Sequence, residues 1–272
     1  MGALEEWIAE MFLTHSLNLL RFSAGTQDKI LALMAAMSRE LAAKLGEGEI
    51  STYGKQRLAA LLRESNAVIA SHYTGMQAEL NRNLVGMVRI EADYTAKVLT
   101  QSLKIELGAK LPPATYLEKL VGDTLIKGAS SANWWKRQEL ATQFKFADQV
   151  RLGAAQGETT SQIVARVIGT SAKAVGGNVE VMPGILKTSE ANARALVHSS
   201  VQAVANAARL ASFQQNSDLI ECLVWLATLD SHTCLLCAMR DLHEYSLDDQ
   251  EPINHTHEWA GGPGGIHFSC RC

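Results

Sequence analysis

Apolar side chains recur every three or four positions from the first turn of the chain. Leu4, Trp7, Ile8, Met11, Phe12, His15 and Leu19 share one helical face. The run Ser23-Ala24-Gly25-Thr26 interrupts the pattern and predicts a break. Ile30, Leu33, Met34, Met37, Leu41 and Leu45 then define a second amphipathic helix, closed by Gly46 and Gly48. From Lys55 to Leu107 there is no proline. Leu58, Leu62, Ile69, His72, Met76, Leu80, Leu84, Met87, Tyr94 and Val98 carry the stripe onward. An unbroken helix of about 45 residues is roughly 65 Å long. Gly75 and Gly86, each costing about 1 kcal/mol relative to alanine, are candidate bends. A helix of this length suits lengthwise packing against partners.

Gly108 and Pro112-Pro113 punctuate the chain. Helix resumes through Tyr116–Leu120 and Trp134–Val150. The caps in Gly157-Glu158-Thr159-Thr160-Ser161 introduce a short helix near Gln162–Ile168. Gly176-Gly177 and Pro183-Gly184 bracket a loop or hairpin, and Thr188-Ser189-Glu190 opens an alanine-rich helix to about Phe213. After Asn216 the period changes. Leu219–Leu226 is compact, apolar and partly alternating, which predicts a strand, and Leu242–Ser246 is a weaker one. The glycine-rich remainder reads as loop, and no internal repeat is evident. The expected fold class is therefore mainly α, with long helices in the N-terminal half and a small C-terminal α+β region. Three segments are expected: a helical arm over 1–111, a helical connector over 112–145, and a C-terminal domain over 146–272.

Of the 272 residues, 47% are hydrophobic and 19% charged, a balance that places the chain among ordered globular proteins. A formal net charge of −3 argues against a dedicated nucleic-acid binder, though local DNA contact is compatible with it. No run of about 18 uncharged apolar residues is present, so no membrane-spanning helix is expected. The acidic start Glu5-Glu6 lacks the basic flank of a secretory signal, which points to synthesis in a cytoplasm.

All five cysteines lie in the last 51 residues, together with five of the eight histidines. Without an export signal, an odd cysteine count favours metal binding or free thiols over a disulfide framework. Cys234-Leu235-Leu236-Cys237 follows the strand and the turn at Asp230-Ser231, and His267-Phe268-Ser269-Cys270-Arg271-Cys272 comes thirty residues later. A CxxC turn aims two thiolates at one tetrahedral ion, and a second pair closes the site. Cys234, Cys237, His267 and Cys270 are the first choice of ligands. Cys272 is the alternate, because a terminal residue tends to fray. The segment has few large apolar residues, so a structural Zn2+ would offset its lack of core. A redox pair and unligated thiols stand as alternatives, although the flanking pattern lacks thioredoxin-like alternation. Cys222 reads as a buried core thiol within the strand. His15 and His72 read as core-edge residues, and of Trp134 and Trp135 one ring is expected inside and the other outside. His232, His243, His255 and His257 read as solvated loop histidines.

Trp225-x-Ala227-Thr228-x-Asp230-x-x-Thr233-Cys234-x-x-Cys237, followed by His267-x-x-Cys270-Arg271-Cys272, resembles the Mu F-like phage head-morphogenesis domain. The resemblance covers about residues 145–272, with the Cys/His cluster at 230–272. Two features depart from the family pattern. His198-Ser199-Ser200 stands where the family often has an Arg-Thr-Glu-like triplet, and the proline commonly beside the closing histidine is absent. The resemblance implies a minor head (capsid) protein and not an enzyme. Such a protein would sit with the portal protein and other head proteins in the virion head, after assembly in the host cytoplasm without a membrane. It would act in head morphogenesis, touch genomic DNA without sequence specificity, and in some relatives accompany DNA ejection. A zinc nuclease or hydrolase using His255, His257 or Glu258 as a base, or an ejected effector, are the alternative readings.

Overall fold

The computed structural model describes residues 2–104, 108–169, 184–229, 233–270 and 272, and the backbone of 173–175 and 178–180. Leu107, Gly176, Gly177, Pro183, Asp230, Ser231, His232 and Arg271, all used in the sequence reading, lie outside the described residues. The protein is mainly α, with seven α-helices among the described residues. They are α1 (Ala3–Leu45), α2 (Lys55–Leu103), α3 (Ala114–Asp123), α4 (Ser131–Ala155), α5 (Thr160–Ile168), α6 (Ile185–Gln215) and α7 (Leu235–Ala238). Three antiparallel two-stranded ribbons complete the set: β1 (Leu125–Ile126) with β2 (Ala129–Ser130), β3 (Lys173–Val175) with β4 (Asn178–Glu180), and β5 (Leu223–Val224) with β6 (Glu244–Tyr245). Among the described residues, no helix is long and apolar enough to cross a membrane.

The break expected at Ser23–Thr26 does not occur, because α1 is continuous through it. Phe12, His15, Leu19, Ser23, Thr26, Ile30, Met34, Met37, Leu41 and Leu45 are all buried, at steps of three, four and four. Ser23 and Thr26 are stripe positions with small side chains, and Thr26 Oγ1 donates to the Phe22 carbonyl at 2.9 Å. Gly25 faces away from the stripe. Helix α2 repeats the same spacing with Leu62, Ser65, Ile69, Tyr73, Met76, Leu80, Leu84, Met87, Glu91, Thr95 and Val98. The stripe thus takes Tyr73 and Thr95 rather than the expected His72 and Tyr94, which are half-buried. The stripe of each helix repeats three positions in every eleven, a period of about 3.67 that stays close to the 3.6 of a straight α-helix, and α2 buries Leu61, Val68, Val88, Ala92, Ala96 and Leu99 beside it. Gly75 and Gly86 lie on the exposed side of α2, where they cost helix propensity but no packing, and the helix passes through both.

The chain forms two compact units, each built from separated segments. One comprises Met1–Thr26, Leu80–Ser131 and Ala195–Cys272, and the other Gln27–Glu79 and Ala132–Arg194. The segments expected at 1–111, 112–145 and 146–272 are contiguous, whereas these units interleave along the sequence.

In the second unit Trp135 is buried and meets Tyr73 edge-on at 6.0 Å, while Trp134 is half-buried. A hydroxyl chain joins Tyr73 to Thr142 at 2.8 Å and Thr142 to Ser189 at 2.9 Å. Helix α5 opens on a capping box: Thr159 accepts from Gln162 N–H, and the Gln162 side chain accepts from Thr159 N–H. The first unit contains a buried charge cluster. Glu91 Oε1 contacts His15 Nε2 at 2.6 Å, and Glu91 Oε2 accepts from Arg209 Nε at 3.1 Å. His15 is buried and stacks on Tyr94 at 3.7 Å; His72, half-buried, contacts Glu40 at 2.9 Å.

Candidate metal centre

The strand expected over Leu219–Leu226 shrinks to β5, paired with β6 in the register Leu223↔Tyr245 and Val224↔Glu244. Six of the eight residues lie outside the ladder because the chain turns to build a small aromatic core. Fully buried Trp225 meets Trp259 at 5.3 Å, and Tyr245 meets Trp259 at 5.0 Å. Leu223, Ala227 and Leu247 complete this core with Cys237 and Cys270. The thiols are therefore part of what little core the segment has.

The CxxC pair is held by local backbone chemistry. Cys234 caps α7: its carbonyl accepts from Ala238 N–H at 2.9 Å, and its Sγ accepts from Cys237 N–H at 3.4 Å. Arg240 crosses beneath the turn, donating to the Leu236 carbonyl at 2.7 Å and the Glu258 carbonyl at 2.9 Å.

Helix α6 holds the second pair. Ser199 Oγ accepts from Ser269 N–H at 2.8 Å, and Asn206 Nδ2 donates to the carbonyls of Pro263 at 3.0 Å and Cys272 at 3.3 Å. Ser269 takes φ +61°, a left-handed turn that reverses the chain between His267 and Cys270. Gly264, at φ +81°, lies so close to α6 that a Cβ there would fall 2.6 Å from Ala203 N. The close backbone approach at Gly264 was expected from the sequence, whereas Ser199 and Asn206 were assigned no part in the site. A polar asparagine within an alanine-rich helix was the available signal for Asn206. Ser199 falls in the segment that departs from the family triplet, yet it holds the closing loop.

All five expected ligands gather here. Cys234, Cys237 and His267 form one group and Cys237, Cys270 and Cys272 another, with the ligand atoms of each group within 4.8 Å of one another. Cys237 belongs to both. His267 Nε2 lies 2.9 Å from Cys234 Sγ and 3.4 Å from Cys237 Sγ, and the Cys237 and Cys270 sulfurs are 3.6 Å apart. Ligand bonds of about 2.0–2.3 Å around a tetrahedral ion put donor atoms roughly 3.5–3.8 Å apart. The Cys237–Cys270 spacing falls in that range, the His267–Cys237 spacing lies just below it, and the His267–Cys234 spacing is tighter. The first-choice set of Cys234, Cys237, His267 and Cys270 spans both groups without forming a single one.

His267 is preset for ligation. Its Nδ1 lies 2.8 Å from the Phe268 carbonyl, which can only accept, so the ring proton sits on Nδ1 and the Nε2 lone pair faces the thiols. The thiols themselves share charge unevenly. Hydrogen bonding with Cys237, then with Cys272, holds Cys270 well below the usual thiol range. The same contact with Cys270 pushes Cys237 far up. Cys272 is drawn down by Cys237 but raised on balance by Cys270 and by burial. A bound cation would stabilise all of these thiols as thiolates. The Cys/His cluster can hold a metal ion.

The other candidates fall outside both groups. Cys222 is half-buried and lies just before β5, so it is not the strand-core thiol expected; burial is the main cause raising its pKa. His243, His255 and His257 are not isolated loop residues. Their rings meet at 4.4 Å (His243 with His255) and 5.1 Å (His243 with His257). Both nitrogens of His255 are engaged: Nε2 donates to the Glu244 carbonyl at 2.7 Å, and Nδ1 accepts from His257 N–H at 3.2 Å. Comparison of the chain with protein-family models, curated proteins and solved structures found no match.

Proposed function

We propose that this chain is a bacteriophage minor head protein whose C-terminal Cys/His cluster is a structural zinc knot. The observation that carries the reading is the convergence of Cys234 and Cys237 with His267, Cys270 and Cys272 across twenty-nine intervening residues. These are the cysteine and histidine positions of the Mu F-like pattern, in that pattern's order. Zinc suits three thiolates with one imidazole, or four thiolates, and such sulfur-rich sites are characteristically closed and structural. The metal would supply cross-linking energy to a segment whose described core is small. The chain's own contribution is to present the thiols from a CxxC turn, fix the His267 tautomer and clamp the closing loop to α6. Long helices with continuous stripes suit a component that packs along the portal and other head proteins. In this reading the protein acts in head morphogenesis in the host cytoplasm, resides in the virion head, touches genomic DNA only non-specifically, and is not an enzyme.

The test is quantitative mass spectrometry of purified phage heads with a parallel pull-down of the portal protein. A small fixed copy number per particle, retained with the portal, is expected. Recovery only from the soluble lysate would overturn the assignment.

A further inference from the structure

A cavity of about 280 Å3 opens in the first unit between the start of α1, the end of α2, α6 and the segment around β5. Its wall is mostly apolar, with Phe12, Leu99, Leu210 and Phe213 among the lining residues. Three polar groups on α6 interrupt that lining: Asn206 is bonded to the Pro263 and Cys272 carbonyls and to Arg209, whereas Gln202 and Arg209 each keep an unsatisfied donor. Gln202 is 2% exposed, and its Nε2 has no hydrogen-bond partner among the described residues. Arg209 Nη2 lies 3.0 Å from Glu91 Oε2 as an ion pair but makes no aligned hydrogen bond. A buried donor without an acceptor is costly to maintain, and an acceptor on a ligand would relieve that cost.

The charge around these donors selects the head group. Buried Glu91 already balances Arg209, and exposed Glu5 adds further negative charge to the lining. A ligand carboxylate would bring an uncompensated charge into this setting, whereas a neutral carbonyl accepts the same hydrogen bond without that cost. At about 30 Å3 per water-sized group, the space admits roughly nine or ten non-hydrogen atoms. We infer that the cavity binds a small neutral ligand with an aliphatic or aromatic body and a carbonyl head, which accepts from Gln202 Nε2. Cys272 on the cavity wall also belongs to the Cys/His cluster, but the inference does not rest on the proposed head function.

Half-buried Cys222 lies on the cavity wall and serves as a reporter. Octanamide, with ten non-hydrogen atoms, is titrated calorimetrically into the full-length protein. Alkylation of Cys222 is followed in parallel by peptide mass spectrometry. Octanamide is expected to bind, to slow Cys222 alkylation, and to bind more tightly than octanoate. Gln202→Met, which keeps the side-chain length and removes the donor, should weaken octanamide by about 3- to 10-fold. Ala9→Phe, which fills the cavity from α1, should abolish binding while leaving the helical circular dichroism unchanged. The inference is overturned if octanamide neither binds nor protects Cys222, if octanoate binds as well or better, or if Gln202→Met binds octanamide undiminished.

Discussion

Gly264 and Gly261 make a matched pair for testing how firmly the closing loop is seated on α6. Both have left-handed backbones, at φ +81° and +86°. A Cβ on Gly261 would meet nothing nearer than 3.9 Å, whereas one on Gly264 would fall 2.6 Å from Ala203 N and 2.7 Å from Gln202 C. Gly261→Ala therefore carries only the backbone term, about 1–2 kcal/mol, reduced by about 0.4–1 kcal/mol through the stiffer unfolded chain. Gly264→Ala carries the same term and must also move the loop, because helix backbone cannot yield. Movement forfeits the two Asn206 bonds and the Ser199 bond to the loop, at about 0.5–1.5 kcal/mol each. The expected losses are about 1 kcal/mol for Gly261→Ala and about 3–5 kcal/mol for Gly264→Ala. At roughly 2–4 °C per kcal/mol, the Tm falls by a few degrees in the first variant and by about 6–20 °C in the second. Thermal unfolding followed by tryptophan fluorescence reads this directly, since Trp225 and Trp259 are in contact within the same tail. Equal Tm values for the two variants would refute the claim that the loop is clamped by contact with α6.

Four further expectations follow from the same structure. Cys237→Ser should release more bound metal and expose the 233–272 tail to protease more than Cys272→Ser, because Cys237 is common to both ligand groups; equal metal content by mass spectrometry would contradict this. Metal affinity should weaken as pH falls, since each thiol must lose its proton to bind, and a flat affinity between pH 8 and pH 6 would count against thiolate ligation. Glu91→Gln should cost about 3–5 kcal/mol in chemical denaturation by leaving Arg209 without its buried counter-charge, and a loss under about 1 kcal/mol would show that the cluster adds little. Burial raises the pKa of Tyr73 above the ordinary phenol value of about 10, so the folded state holds its proton longer than the unfolded state. That contribution is complete below pH 10 and is lost as pH rises through the folded value. Tyr73→Phe should flatten the alkaline decline, and an unchanged pH profile would dismiss Tyr73 as its source.

The long helices were legible because burial of a helical face leaves a periodic trace, and so was α5, through its capping residues; α6 instead begins at Ile185, ahead of the expected opening at Thr188-Ser189-Glu190. The false break at Ser23–Thr26 came from reading stripe positions by hydrophobicity alone. Ser23 and Thr26 are buried through small size and local bonding, which a hydropathy pattern cannot register. Glu91 hid for the converse reason: a carboxylate on a buried stripe becomes intelligible only with Arg209, 118 residues later. The β1–β2 hairpin escaped because two-residue strands have no period; its turn residues Lys127 (φ +49°) and Gly128 (φ +81°) are the sole local mark. In the tail, residue types and spacing disclosed all five members of the cluster. They could not disclose that Cys237 is shared, which depends on how α6 seats the closing loop.

The three-in-eleven spacing of α1 and α2 also fixes a reading frame for length. Each residue added to an α-helix turns everything beyond it by about 100°. A single insertion near the middle of either helix would swing half of its buried residues toward solvent, although no side chain had been replaced. Three insertions leave a rotation of about 60° and four leave about 40° in the opposite sense. Seven and eleven each leave only about 20°, in opposite senses, and eighteen close the circle. Changes in helix length are therefore tolerable in steps of about seven, eleven or eighteen residues, and one-residue changes near the middle are far more disruptive.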